Sequence, residues 1–177
     1  GECDASGLTQ IYVYVHLFAM VAAAEIRETT QCLCLASRRA ARTITRRFDR
    51  ELRAHGLRAT QFTLLSALHV AGPLPIGALA ELLSSERTTV TRNLALVERH
   101  GFVTVRADPA DARSRIAAIT SKGSRALRGA MTTWRRVQSE LTATIGTQTA
   151  DRLRQLAGGP CVAGAHTRSR KPEGRPA

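Results

Sequence analysis

Arg87, Thr88, Thr89, Thr91 and Arg92 crowd two guanidiniums and three hydroxyls into one short polar stretch. A guanidinium is a planar fork of donors that fits phosphate oxygens or the O6/N7 edge of guanine, and short hydroxyls bond phosphate. Val90, Leu94 and Val97 recur at i, i+4 and i+7 through the same stretch. That spacing marks the buried face of a helix over Glu86–His100 and leaves the five polar residues exposed near its N-terminal end. The alternative is an ordinary amphipathic helix whose polar side faces water. A second cluster weighs against it: Arg106, Arg113 and Arg115 gather around Asp108 and Asp111. A solvated turn has no need of so many guanidiniums, whereas a hairpin inserted into a narrow minor groove does. Asp111 is expected to position Arg113 or a helix arginine by an ion pair, since a carboxylate beside phosphate is repelled.

The elements that hold these residues follow from local signals. Ile76–Leu83 is expected as a short helix burying Ile76, Leu79, Ala80 and Leu83, and the Ser84-Ser85 pair supplies a turn and the N-cap of the next helix. Phe102–Arg106 and Arg115–Thr120, rich in β-branched residues, flank the Asp108-Pro109-Ala110-Asp111 turn and predict a hairpin. Helix, turn, helix and ribbon in this order describe a helix-turn-helix with a wing, an arrangement that lays its second helix in the major groove of duplex DNA. Cys32–His55 is expected as one helix, with Leu33, Ala40, Ile44, Phe48 and Leu52 as its apolar stripe and Arg38, Arg42, Arg46 and Arg50 as a basic row, ending at Gly56. A second helix starts at the candidate N-cap Thr60 and stops before Gly72-Pro73. After Thr120-Ser121 a long helix runs to about Ile145 with Leu127, Met131, Trp134, Val137 and Leu141 on one face, and a last helix spans about Thr149–Leu156.

Cys32, Cys34 and Cys161 carry the second kind of chemistry. Cys32-Leu33-Cys34 opens a helix, where exposed N–H groups and the dipole favour the thiolate, and Arg38 and Arg39 push the same way. A thiolate attacks peroxides and ligates soft metals. Two sensing hypotheses follow. In one, Cys32, Cys34 and Cys161 bind a soft metal or a metalloid such as arsenite; in the other, Cys34 is oxidised to a sulfenate and resolved by another cysteine. The competing reading is that these thiols are small hydrophobes packed at a subunit interface. Tyr12 and Tyr14 are the only tyrosines able to support such a thiol.

Composition sets the limits. Lys and Arg number 26 against 14 Asp and Glu, a net charge of +12, which suits a polyanion. Hydrophobic residues make up 44% and aromatics 4%, favouring a helical core. Four cysteines are too few for a disulfide scaffold, and a reducing cytoplasm is the expected location. The apolar run Ile11–Ala24 is shorter than the ~20 residues a membrane helix needs, so no membrane partner is expected. His16, His55, His69, His100 and His166 have no carboxylate at catalytic or ligand spacing, and no phosphate loop or nucleophile elbow occurs. An enzyme is therefore not expected, and no cofactor is required. The rival class is a basic helical protein that binds RNA or an acidic surface without a sensing role, although the exposed aromatics of RNA readers are lacking.

With these residues in view, the chain resembles the MarR family of transcriptional regulators. The matching segments are Leu57–Leu65 (LRATQFTLL), Ile76–Leu83 (IGALAELL), Thr88–Asn93 (TTVTRN), Leu96–Val103 (LVERHGFV), Asp108–Arg113 (DPADAR) and Ile119–Gly123 (ITSKG), and the likeness runs from about Cys32 to Leu156. The resemblance implies a mainly α fold with a small β-hairpin wing, in which a winged helix-turn-helix lobe joins interlocking dimerisation helices. On that pattern 32–58 is the first dimerisation helix, 59–120 the DNA-binding domain and 121–157 the C-terminal dimerisation helices. Residues 1–31 form an extension of unclear role and 158–177 a basic tail expected to be disordered. The resemblance also implies a homodimer reading pseudo-palindromic double-stranded DNA, usually a repressor, released by a small molecule or an oxidant; the cysteines add a metalloid as a candidate effector. Arg87, Thr88, Thr89, Thr91 and Arg92 fall on its recognition helix and Arg113 on its wing tip; Arg115, from the hairpin cluster, joins them as a DNA-contact candidate.

Overall fold

The structure is a computed structural model that describes Ile26 and residues 29–158. The Ile11–Ala24 run, Tyr12, Tyr14, His16, Cys161, His166 and the tail from residue 159 onward lie outside the described residues. The chain divides into two compact units, Gly1–Ile44 and Thr45–Ala177.

In the first unit a 3-10 turn, Thr29–Gln31, precedes helix α1, Leu33–Leu52, which continues into the second unit. The expected apolar stripe is exposed at its start: Leu33 is 85% exposed, whereas Leu52 is fully buried. A 3-10 turn, Arg53–His55, and Gly56 in the left-handed conformation end this segment where glycine was expected.

The second unit continues with α2 (Ala59–Ala71), β1 (Leu74–Pro75), α3 (Ile76–Leu82), α4 (Arg87–Arg99), β2 (Val103–Asp108), β3 (Asp111–Ile119), α5 (Ser121–Ile145) and α6 (Thr147–Leu156). Helix α2 begins earlier than Thr60. Its N-cap is Arg58, whose N–H donates to Gln61 Oε1 at 2.9 Å, while Ala59 N–H donates to Asp49 Oδ1 at 2.7 Å. Two acceptors distant in type from an ordinary cap hydroxyl thus satisfy the helix start. The three strands form an antiparallel sheet of order β1-β3-β2. The hairpin was expected; β1, a two-residue strand pairing Leu74 with Ala117, was not.

The core joins Phe62, Leu64, Leu65 and Leu68 of α2 to Leu79 of α3, Val90, Leu94 and Val97 of α4, Val103 of β2 and Leu127 of α5. Thr120 caps α5 as expected, its Oγ1 accepting from Gly123 N–H at 3.0 Å. Trp134 stacks on Phe62 with ring centroids 5.9 Å apart. Beyond that apolar contact, α5 is tied to the end of α1 by a closed ring of charges. Arg47 reaches Glu51 at 2.9 Å and Glu140 at 2.6 Å, and Arg136 reaches the same carboxylates at 2.6 and 2.8 Å. The hydrogen bond from Arg136 holds the Glu51 carboxyl below its ordinary pKa, and that from Arg47 does the same for Glu140.

Candidate nucleic-acid interface

Helix α4 is anchored through Val90, Leu94 and Val97, all buried as their spacing predicts. Its start differs from expectation. Ser84 adopts a left-handed φ of 46°, and Ser85 N–H donates to Ala80 O at 2.9 Å, so the serine pair closes α3 instead of capping α4. The N-cap of α4 is Glu86, which makes no side-chain cap bond. Among the described residues no side chain accepts from the first-turn N–H groups of α4, which begins with Arg87 directly after the exposed carboxylate of Glu86.

Arg87, Thr88, Thr89, Thr91 and Arg92 are all exposed. Four of them, Arg87, Thr88, Thr91 and Arg92, line one shallow surface. Thr89 lies apart: with Asn93 it borders a recess against Thr60 and Thr63 of α2. Thr91 Oγ1 donates to Arg87 O at 2.8 Å, which fixes its rotamer while leaving its oxygen lone pairs outward. Asn93, half-buried, was not singled out from sequence, because an amide among hydroxyls gives no periodic signal.

The wing tip is shaped by its two aspartates. A register irregularity falls between Ala107 and Asp108; Asp108 Oδ1 accepts from Ala110 N–H and Asp111 Oδ1 from Arg113 N–H, both at 2.9 Å. Asp111 thus positions Arg113 through the backbone; among the described residues it makes no ion pair with an arginine. The local bond satisfies the carboxylate without tying up the guanidinium. Arg106 and Arg113 are exposed and, like Arg87 and Arg92, have no ion-pair partner among the described residues. Arg115 is engaged: its Nη2 donates to Val105 O at 3.3 Å.

Cys32 and Cys34 are free thiols, both exposed. Ala36 N–H donates to Cys32 O at 3.0 Å, which puts Cys32 at the cap of α1 and Cys34 in its first turn. Among the described residues no three His, Cys, Asp or Glu side chains come together as a metal site, and Cys161 lies outside them.

The profile of the MarR family matches residues 57–114, from the start of α2 to the wing tip. The transcriptional regulator MosR of M. tuberculosis, solved in complex with DNA, shares 39% sequence identity with a TM-score of 0.62, covering 72% of this chain and 96% of that one. The chain belongs to the MarR family of transcriptional regulators. A regulator of Bacillus subtilis (strain 168), the uncharacterized HTH-type YkoM, is 32% identical over 86 residues, which is 49% of this chain and only 56% of that protein's length. Wild-type MarR from E. coli, at 20% identity and a TM-score of 0.56, shares the fold. Family membership agrees with a mostly helical chain bearing a small three-stranded wing sheet, and it is membership among regulators and not among enzymes. No helix among the described residues is long and apolar enough to cross a membrane.

Proposed function

We propose that this chain is a sequence-specific transcriptional regulator that reads double-stranded DNA with α4 in the major groove and the β2–β3 wing in the adjacent minor groove. The observation that carries the reading is the gathering of exposed guanidiniums on one helix face and one hairpin tip, Arg87 and Arg92 on α4 and Arg113 at the wing tip, none with an ion-pair partner among the described residues. Guanidiniums gathered on one helix face and one hairpin tip have an external anion as their natural acceptor. The +12 charge supplies the long-range attraction, and the 39%-identical MosR is a regulator solved with DNA. In this reading Arg87 and Arg92 contact base edges or phosphate, Thr88 and Thr91 bond phosphate, and Thr89 supports the helix beside α2. Arg113 enters the minor groove with Asp111 shaping its loop.

The active form is a homodimer that acts as a repressor. Leu33 and Leu156 are each 85% exposed, and Leu35 and Leu153 are partly exposed, in α1 and α6 of a single chain. Covering these terminal apolar residues with a second copy removes them from water. Selection of duplexes from a random pool tests the reading. The enriched sites should be inverted repeats with half-site centres about one helical turn apart, roughly 10 base pairs. Enrichment of no duplex sequence would sink it.

Release from DNA is assigned to an effector, with the exposed Cys32 and Cys34 at the start of α1 as the leading receptors for an oxidant or a metalloid. Arsenite and cumene hydroperoxide, titrated separately into the reduced protein–DNA complex, test this. Loss of binding that C32S or C34S abolishes supports the assignment, and release by neither reagent removes it.

A further inference from the structure

Among the described residues strand β2 pairs only with β3, so its outer side is a sheet edge. Unpaired edge groups normally turn to water or to another strand. Val105, in the middle of β2, does neither. Its N–H donates to Glu98 Oε1 at 2.9 Å, and its carbonyl accepts from Arg115 Nη2 at 3.3 Å. Glu98 stands on α4 two turns after Thr91, on the same side of the helix. The intervening cleft, about 180 Å³, is lined by Thr91, Ala95 and Glu98 of α4 and by Val105 and Arg115 of the hairpin. One residue of the wing is thus held at both main-chain groups, once by the reading helix and once by the hairpin itself.

We propose that Glu98 and Arg115 are positioning residues that lock the pitch of the wing against α4, setting the span between the major-groove and minor-groove contacts. This rests on the DNA reading proposed above. It gives Glu98 a role despite its charge, which would otherwise oppose phosphate, and it moves Arg115 from contacting DNA to holding the wing. The bond from the Val105 N–H to Glu98 joins the wing to α4, and the Arg115 bond fixes the same residue within the hairpin, so the wing's conformation and its attachment to α4 are set at one point. Wing and helix then meet DNA as one rigid body, so the ordering of the wing precedes binding.

The test uses the full chain, with Val105 amide exchange followed by NMR in the free protein and binding measured on the duplex the wild type selects and on a scrambled duplex. Glu98→Gln keeps an acceptor oxygen and loses the charge; Glu98→Ala loses both. E98Q should retain slow exchange at Val105 and wild-type discrimination. E98A should exchange about tenfold faster and lose about tenfold in the ratio of selected to scrambled binding. Arg115→Met should lower the same ratio, and the double variant E98A/R115M should lose less than the sum of the two. Equal behaviour of E98A and E98Q in both measurements, or strict additivity with R115M, overturns the proposal. Should E98A fail to fold, judged by Trp134 emission, Glu98→Asp replaces it, with a carboxylate one methylene short and the same predicted faster exchange. Failure of the wild type to discriminate any duplex would instead defeat the DNA reading, while Val105 exchange would still report on the lock.

Discussion

The proposed reading surface rests on a small number of side chains whose freedom is set by neighbours. Arg92 is exposed on α4 beside Thr88, without a partner among the described residues. Arg92→Ala should weaken binding to the selected duplex by about 1–3 kcal/mol and relax preference at a single base position, measured by titrating single-base variants of the site. Other single residues serve the scaffold. A Cβ on Gly123 would overlap the carbonyl of Phe102, where the wing returns to α5. Gly123→Ala should therefore destabilise the fold by about 1–3 kcal/mol in thermal unfolding, because backbone atoms have no room to yield. The candidate DNA residues were legible from sequence because Val90, Leu94 and Val97 define a periodic face and leave the polar remainder by subtraction. Glu98 and Gly123 were hidden, because each acts through a backbone group of another element, which residue type alone does not encode; the Asp111 turn was legible, but its bond goes to the Arg113 N–H and not to a guanidinium.

At the level of elements, sequence patterns gave the helices and the hairpin because caps, glycines and apolar spacing are local. They missed β1 because a two-residue strand has no period, and only its pairing with Ala117 and Ile116 makes it a strand. They misplaced the start of α2 because its first N–H groups go to Gln61 and Asp49, not to Thr60. The ring of Arg47, Glu51, Arg136 and Glu140 also joins positions far apart in sequence. It makes the docking of α1 on α5 dependent on pH. Both carboxyls titrate lower in the folded protein than unfolded, so their contribution is present above the unfolded value, about 4.3, and fades as pH falls through the folded values. Glu51→Gln and Glu140→Gln should lower the melting temperature at about pH 7 and have little effect at about pH 3. Equal losses at both values would show that the ring is held by packing and not by charge.

For the whole molecule, exposed apolar residues and the basic charge divide the work. In the proposed dimer a second copy covers Leu33 of α1 and Leu156 of α6, while Arg87, Arg92 and Arg113 of α4 and the wing face the DNA. Leu156→Asp should raise the dimer dissociation constant at least about tenfold by analytical ultracentrifugation, the loss expected when a buried leucine becomes a charge. The same variant should weaken binding to the inverted repeat more than to a single half-site, since only the dimer spans both halves. The measurement that bears most directly on the central claim is the salt dependence of binding to duplex DNA and to single-stranded RNA of matched length. The account predicts tighter binding to the duplex, with log K falling linearly against log salt and the slope reduced by about one in Arg113→Ala. Tighter binding to the RNA, or a duplex slope untouched by loss of Arg113, would contradict it.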